Sequence, residues 1–399
     1  MNKKYLSIFL AASFVIGAFA ACNGEATSDL SAFDDGATST SEAPALELEN
    51  VVDFVLEVEA GRDVKILQLT DIQIIDSSQQ RYEGRLHSWS IDWWAPEKME
   101  FAAWRYMREA VAAVQPDLIV LSGDNVYGEF DDNGTVLQAL VAEMESYEIP
   151  WTITFGNHDN ETRKGMEWTC AQYIDAEHCM FTRGDIRNVE GNGNFNIGIT
   201  QGGELTEVVW LMDSNGHTAG NLDKNMYSAY GLQKGQIAWF TQRNELLKEY
   251  NGGVSPKSIG FFHHPLRALG DALTVYGYES AQNAFMDKYG DWGTFTAFTI
   301  PENDKGDCGA MNSDPDRYID ANYQFHNLLK EYGCEGWFFG HHHKNNASAS
   351  FEGVRYTYGL KASTYDEYQD GEVGGTEILV GADKTMSVRH VYTQFKTER

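Results

Sequence analysis

The sequence predicts an α/β fold, because short apolar strands alternate with amphipathic helices and the strands end in polar motifs. Strands over residues 63–69 and 117–121 flank a helix over about residues 97–114, and a further helix, 136–147, leads to a strand over 151–155. An apolar face is predicted on the first helix at Phe101, Trp104, Met107 and Val111. Open α/β folds place their functional sites at the carboxyl ends of such strands.

The rest of the chain continues the same pattern. Two more helix and strand units are predicted, over residues 234–250 with 258–262 and over residues 319–332 with 336–339. Additional strands are predicted over residues 195–200, 207–212, 354–360, 376–380 and 386–392. A long insertion is expected over about residues 266–318. Because no second boundary is visible, residues 50–399 are predicted to form a single domain, and the 42% hydrophobic content is ample for its core.

Residues 1–21 have the layout of a secretory signal, in which a short basic start precedes an apolar run that ends in Ala20 and Ala21. The run is too short and too close to the start for a convincing membrane span. Small residues directly before Cys22 resemble the cleavage site of bacterial lipoproteins, so Cys22 is expected to carry a lipid. Phe19 stands where that pattern usually has Leu, and plain secretion is the alternative.

Residues 22–49 are predicted to be a flexible tether, because Ala, Ser, Thr, Asp and Glu dominate them and no apolar period is present. The expected location is therefore the bacterial cell envelope, with membrane contact through the lipid anchor alone. The formal net charge of −29 repels nucleic-acid backbones at long range. A nucleic-acid polymer is accordingly not expected as a partner, whereas a small phosphorylated substrate is compatible with this charge.

Four cysteines follow the anchor, an even number for an oxidising compartment. Cys170 with Cys179 would close a short loop, and Cys308 with Cys334 a longer one. Since four cysteines allow three full pairings, the pairing is open. The expectation is at least one disulfide, and four buried thiols are the alternative.

Polar motifs follow five of the predicted strands. Taken singly, each has a structural explanation as a turn or a helix cap. Together they supply carboxylate, amide oxygen and imidazole, the ligands that hard and borderline metal cations prefer. The candidate ligands are Asp71, Asp124, Asn157, His263, His341 and His343. A carboxylate such as Asp124 can bridge two metals about 3.5–4 Å apart, and such a pair clamps the attacking and leaving oxygens of a phosphoryl transfer.

The motifs and their order resemble those of the calcineurin-like metallophosphoesterases over about residues 63–365. The matching segments are residues 71–73 (Asp-Ile-Gln), 123–124 (Gly-Asp), 156–159 (Gly-Asn-His-Asp), 263–265 (His-His-Pro) and 340–343 (Gly-His-His-His). The resemblance implies a sandwich of two mixed β-sheets flanked by helices.

It also implies two metal ions, of Mn, Fe or Zn, with Asp124 bridging them. Asn157, His263 and His341 would hold the second metal, and Asp71 and His343 the first. His158 corresponds to the family's catalytic His, and the adjacent Asp159 is counted with it. Asn157 and His264 are the candidate contacts to the substrate phosphate.

One position departs from the family pattern, because Gln73 stands where the first metal usually has a His. Gln73 either ligates weakly through its side-chain oxygen or lies outside the ligand shell. Tyr127 offers another replacement, since residues 123–127 are similar to the Gly-Asp-x-x-Tyr of purple acid phosphatases, whose Tyr ligates ferric iron. Packing is the alternative role for Tyr127. Weaker similarities over residues 191–240 point to the same phosphatase branch.

The leading hypothesis is therefore a hydrolase of phosphomonoesters or small phosphodiesters that uses a metal-bound hydroxide, with His158 assisting the leaving group. The alternative is a degenerate surface lipoprotein that binds phosphorylated ligands or glycans without turnover. The replacement at Gln73 favours the alternative, whereas the other matching positions favour the enzyme.

Overall fold

A computed structural model describes residues 46–78, 95–128, 131–216, 231–279, 297–301, 303–313, 318–364 and 367–395. Two mixed β-sheets dominate it. In spatial order, the seven-stranded sheet contains β1 (Phe54–Val58), β5 (Asn194–Gln201), β6 (Glu204–Met212), β7 (Ser258–Phe261), β10 (Cys334–Phe339), β12 (Val354–Tyr358) and β11 (Ser348–Phe351). The five-stranded sheet contains β14 (Met386–Tyr392), β13 (Gly374–Val380), β2 (Val64–Leu69), β3 (Leu118–Ser122) and β4 (Trp151–Thr154). A small ribbon pairs β8 (Phe298–Thr299) with β9 (Ala310–Met311).

Six α-helices connect or cover these sheets in the described part of the chain. They are α1 (Pro96–Val114), α2 (Thr135–Glu145), α3 (Gly165–Ile174), α4 (Lys234–Tyr250), α5 (Arg267–Thr274) and α6 (Gln324–Glu331). A single 3-10 turn, Leu48–Asn50, precedes β1. The strands β2, β3 and β4 run parallel, and so do β6, β7 and β10, so their carboxyl ends lie along common edges.

The apolar core has two main layers, and strand alternation separates them. On β6, Val209 and Leu211 belong to the cluster that also contains the apolar residues of β2, β3 and β4. The intervening residues, including Val208 and Trp210, pack with α4, α5 and α6 in a second cluster. Because successive side chains of a strand point to opposite faces, one layer lies between the sheets and the other under the helices.

The predicted sandwich of two mixed sheets flanked by helices is confirmed. The predicted strands at the polar motifs are present within one or two residues, and α4 and β14 have the predicted bounds. The strand β1, the strand β11 and the helix α3 were not predicted, and the expected insertion over residues 266–318 contains α5 and the β8 and β9 ribbon.

Two details of the predicted helices are wrong. The predicted apolar face of α1 is wrong at Phe101, which is 59% exposed, whereas Met107 and Val111 are buried and Trp104 packs against the same core. The last helix begins at Gln324 and not near residue 319. The Asp320 carboxylate accepts hydrogen bonds from the backbone N–H groups of Phe325 and His326, so the chain before Gln324 caps the helix instead of joining it.

The predicted signal, the lipid-bearing Cys22 and most of the predicted tether lie outside the described residues. The end of the tether is described, and there Leu46 and Leu48 pack against the second core cluster. The packed region therefore begins before the predicted boundary at Asn50. Within the described ranges, no helix combines the length and apolar character that crossing a bilayer requires.

The predicted disulfide is wrong for this structure, in which none of Cys170, Cys179, Cys308 and Cys334 is bridged. Cys170 faces the core from α3, and Cys179 packs against the same cluster. Burial raises the pKa of the Cys170 thiol to about 12, so the apolar thiol is the stable form there.

Phe240 on α4 offers a test of the helix-covered core. It is fully buried and its ring contacts those of Trp210, Phe325, Tyr332 and Trp337. Phe240→Ala is expected to lower the free energy of unfolding by about 3–5 kcal/mol. Phe101→Ala on exposed α1 surface is the matched control and should cost less than about 1 kcal/mol. Denaturant unfolding measures both, and similar losses in the two variants would contradict the described packing.

Candidate metal centre

Five polar motifs meet where strands of the two sheets end. The residues after β2, β3 and β4 come from the five-stranded sheet, and those after β7 and β10 from the seven-stranded sheet. Direct hydrogen bonds join the two sets. The N–H of His341 lies 3.1 and 3.0 Å from the two carboxylate oxygens of Asp71, and the ring of His263 bonds through Nδ1 to the carbonyl of Ser122 on β3. The motifs that the sequence places hundreds of residues apart are therefore neighbours.

The backbone is strained at this junction. Asp71, Gln73, Asp124 and His341 have φ values of 51°, 46°, 50° and 74°, in the left-handed region that non-glycine residues rarely adopt. Such strain costs about 1–3 kcal/mol per residue and persists where the surrounding structure imposes it, typically at functional sites. Here it turns successive strand ends so that their side chains converge.

Motif glycines allow the close approach of these segments. A Cβ atom on Gly156 would lie 2.2 Å from a carboxylate oxygen of Asp124, and one on Gly340 would lie 2.3 Å from a carboxylate oxygen of Asp71. Real Cβ atoms do not approach other atoms this closely. Glycine at both positions is therefore required for the two carboxylates to stay where they are.

The side chains of Asp71, Asp124 and His263 form the centre of the site. Each offers one ligand atom, and these atoms lie within 4.8 Å of one another. The His263 Nε2 atom is 3.2 Å from Asp124 Oδ2 and 3.8 Å from Asp71 Oδ1. The Nε2 atom of His343 is 3.3 Å from Asp71 Oδ1. Three of the six predicted ligands thus face a common point, and His343 adjoins it through Asp71.

Hydrogen bonding and charge orient these groups. The Nδ1 atom of His263 lies 3.2 Å from the carbonyl oxygen of Ser122, so that nitrogen is the donor and Nε2 faces the carboxylates. Burial lowers the pKa of His263, but Asp124 and Asp71 outweigh it and raise the pKa to about 9. Burial likewise opposes ionisation of Asp71 and Asp124, but His263 holds the pKa of both below the usual range.

The donor set fits a divalent cation. Asp124 Oδ2 and His263 Nε2 are buried and face each other, yet neither has a well-oriented hydrogen-bond partner among the described residues. Buried polar atoms without partners are rare and need an explanation. A cation with ligand bonds of about 2.0–2.6 Å would satisfy both atoms and replace the proton on His263.

The other two predicted ligands of the second metal flank this point. Asn157 is buried three residues after the end of β4. The ring centroid of His341 lies 5.2 Å from that of His263 and 4.4 Å from that of His264. His264 is fully buried and bonds to Ser214 through Nδ1, a partner that the sequence gave no reason to select. The substrate contact predicted for His264 stays a prediction, and its contacts are those of a residue that supports His341.

His158 lies at the accessible side of the centre. Its side chain is 19% exposed, its backbone N–H donates to Asp124 Oδ1, and its Nδ1 lies 2.8 Å from the carboxylate of Glu161. The ring of Tyr127 stacks on it at 4.3 Å with an interplanar angle of 21°. Glu161 was not among the predicted site residues. Its position three residues after His158 is the sequence feature that could have indicated this pairing. Tyr127 also packs against Ile75 and Met99, which favours the packing role over iron ligation.

Asp159 has the contacts of a positioning residue. One carboxylate oxygen accepts from the N–H groups of Asp124 and Gly156, and the other from those of Asn125 and Val126. Burial and then the charge of Asp124 raise its pKa to about 7, against the opposing effect of these amides. The catalytic role predicted for Asp159 stays untested, but its contacts show how it fixes the loop that carries Asp124.

Gln73 is fully buried, and its side-chain oxygen accepts a hydrogen bond from the ammonium of Lys361. The same ammonium donates to the backbone carbonyl of Asp71 at 3.1 Å. Lys361 was missed by sequence reasoning. The signal that could have found it is a lone Lys in the otherwise uncharged segment 356–362, three residues after the end of β12.

The two-sheet sandwich with carboxylate and imidazole ligands at its strand ends defines a metal-dependent phosphoesterase fold. A family model described as calcineurin-like phosphoesterase matches residues 64–345. The chain therefore belongs to the calcineurin-like phosphoesterase family, as the motifs predicted.

Relatives support the predicted link to purple acid phosphatases. Over 228 residues the chain is 24% identical to the probable inactive purple acid phosphatase 29 of Arabidopsis thaliana, a match covering 53% of this chain and 56% of that protein. It is 27% identical over 173 residues to phosphatase DCR2 of Saccharomyces cerevisiae, covering 40% and 28%. A solved dimetal phosphatase from Danio rerio aligns with a TM-score of 0.44 and 10% identity over 80% of this chain and 95% of that one. The sequence matches thus span little more than half of these relatives at most.

Asp159→Asn tests the positioning role. An amide nitrogen would face two backbone donors, so Asp124 should shift and metal affinity should fall by about 10–100-fold, as for other groups that orient ligands. Asp131→Asn is the matched control. Its carboxylate also accepts two backbone N–H groups, those of Val136 and Leu137, but at the start of α2. The control should lose stability and keep its metal affinity. Equal metal affinity in both variants, measured by titration calorimetry, would contradict the assignment.

Proposed function

We propose that the chain is a metal-dependent hydrolase of phosphomonoesters or small phosphodiesters. The observation that carries the proposal is the convergence of Asp71, Asp124, His263 and His343 at the strand ends, beside an accessible His158. When bound, metal ions at such a centre would lower the pKa of a coordinated water and neutralise charge on the phosphoryl oxygens. The remaining contributions come from side chains of the protein itself.

His158 is proposed to protonate the leaving oxygen. Its Nδ1 is held by Glu161, so Nε2 is the nitrogen proposed to meet a substrate, and the stacked ring of Tyr127 restricts the rotation of the imidazole. A carboxylate on one imidazole nitrogen both orients the ring and stabilises its protonated form. Attachment of the His158 backbone to Asp124 fixes the distance between this proton donor and the metal ligands.

The rest of the proposal concerns substrate and location. A chain with a formal charge of −29 disfavours nucleic-acid polymers, so the proposed partners are small phosphorylated molecules. The signal-like residues 1–21 and Cys22 support export to the cell envelope with a lipid anchor. The competing function is binding without turnover. The word "inactive" in the names of relatives describes those proteins, and in this chain the proton donor is oriented and the ligands converge.

A hydrolysis assay decides between these functions. The chain, stripped with a chelator and reloaded with Mn²⁺, Zn²⁺ or iron, is expected to hydrolyse an aryl phosphate or an aryl phosphodiester, and the chelated form is expected to be inactive. Release of the coloured phenolate measures turnover. Absence of turnover with every metal on both substrates, in protein shown to bind metal, would favour the binding function.

His158→Ala is expected to lower kcat by about 10²–10⁴-fold while metal content stays unchanged, because a general acid contributes that much and the ring does not ligate the metal. His178→Ala is the matched control, since His178 also pairs with a glutamate, Glu145, at 3.0 Å, but its backbone carbonyl accepts from Trp151 at the start of β4, the end opposite the site. The control should keep full activity. Loss of metal from the His158 variant, seen by elemental analysis, would instead make His158 a ligand.

A further inference from the structure

We propose that Lys361 is a built-in cation that replaces part of the first metal site, so that the centre holds one tightly bound divalent cation, on the side of Asp124 and His263. The inference rests on the proposed function for its location, because it concerns the same centre. It departs from the two-metal expectation that the motifs carry.

The position of Lys361 is fixed by the backbone. The chain after β12 forms a parallel bridge with Thr70, the residue before Asp71, and the N–H of Ala362 donates to the carbonyl of Thr70 at 2.9 Å. This pairing joins the ends of the two sheets and delivers the lysine side chain to Asp71 and Gln73. Lys361 is 1% exposed, so its ammonium is held inside the centre and not at its rim.

The hydrogen bond to Lys361 removes Gln73 as a metal ligand. A glutamine side chain has one atom that can coordinate a cation, its oxygen, while its nitrogen is a donor. An ammonium has three donors and no acceptor, so the oxygen of Gln73 must be the atom that faces Lys361. Gln73 could bind a cation after releasing Lys361, and the buried ammonium would then lose its partner. Burial without a partner is costly for a charged group.

Charge is a second obstacle to binding a cation at the first metal position, beside Asp71 and His343. Asp71 and Asp124 are the two carboxylates that converge in the centre, and the ammonium of Lys361 already donates to the backbone carbonyl of Asp71. One divalent cation and one ammonium already exceed the charge of two carboxylates. A second divalent cation at Asp71, His343 and the bridging Asp124 would lack its fourth protein ligand and would also lie close to the ammonium. Repulsion between them is strong in a buried site because water does not screen it.

The second metal position, at Asp124 and His263, lacks neither a ligand nor room for a positive charge. His263 Nε2 and Asp124 Oδ2 face each other without well-oriented partners among the described residues, and Asn157 and His341 flank them. The cation is therefore expected there. The fixed charge of Lys361 would compensate Asp71 on the other side, which explains why a chain without the usual first-site His can keep its Asp.

Metal stoichiometry tests the inference independently of turnover. The full chain, stripped and titrated with Mn²⁺ alone, is expected to bind one ion tightly and a second about 10–100-fold more weakly or not at all, a range typical of altered ligand support. Elemental analysis after gel filtration counts the retained ions. Electron paramagnetic resonance should show an isolated Mn²⁺ ion and not a coupled pair. Two ions bound with similar affinity would overturn the proposal.

A double variant assigns the effect to the Gln73 and Lys361 pair. Gln73→His with Lys361→Met restores an imidazole and removes the ammonium, so it should retain two tight ions and give the coupled signal. Lys330→Met is the control and should behave like the unmodified chain. It removes a surface ammonium on α6 that pairs with Glu352. If the double variant still holds one ion, Lys361 is not the cause and the proposal fails.

Folding and function are kept separate in this design. Circular dichroism checks each variant, and Lys361→Gln combined with Gln73→His takes over if the methionine variant does not fold, since glutamine keeps a buried donor without the charge. An unmodified chain that binds one Mn²⁺ ion but hydrolyses nothing would sustain this inference and defeat the proposed hydrolase. An active chain with two tight ions would do the reverse.

Discussion

The buried charges of Asp71 and Asp124 impose the central constraint on this structure. Two ionised carboxylates near each other in a protein interior are too costly unless cations and hydrogen bonds compensate them. Here compensation comes from both sheets, through the N–H of His341 and the ring of His263 on one side and the N–H of His158 on the other. The sandwich and its candidate metal centre therefore depend on each other, because the groups that compensate the two charges also join the two sheet edges.

The backbone conformation that holds the two carboxylates in place is strained, and burial of the neighbouring strands offsets the free energy of that strain. Left-handed backbone at Asp71 and Asp124, together with glycines that admit no side chain at positions 156 and 340, gives strand ends that would not adopt this geometry alone. The strands behind them are fully buried, since β3 and β4 have no exposed residue. Burial of these apolar strands on both faces supplies the rigidity that keeps the ligand atoms converged.

Local sequence signals predicted the strand ends well, because apolar strands followed by polar motifs are a property of neighbouring residues. Contacts between distant residues were not predictable in the same way. Gln73 and Lys361 are 288 positions apart, and nothing near either residue reveals the pairing. Phe101 was assigned to the buried face of α1 from helical spacing, which placed Met107 and Val111 correctly but not Phe101. The disulfide was predicted from cysteine number and expected location, and the thiols of Cys170, Cys179 and Cys334 instead pack with the apolar side chains of the core.

The replacement of a metal-binding His by Gln73 therefore has two opposite interpretations, and the hydrogen-bond pattern separates them. If the site had lost metal binding, the loss of a ligand would leave the neighbouring carboxylate without a compensating cation. A buried carboxylate without such a cation is strongly destabilising. In this chain the side-chain oxygen of Gln73 accepts a hydrogen bond from Lys361. Backbone pairing with Thr70, between the two sheets, positions the lysine. Two residues from different sheets thus form one buried polar unit beside Asp71. That arrangement favours a centre that still binds a cation over one that has lost metal binding, because the carboxylate of Asp71 lies close to both His263 and His343.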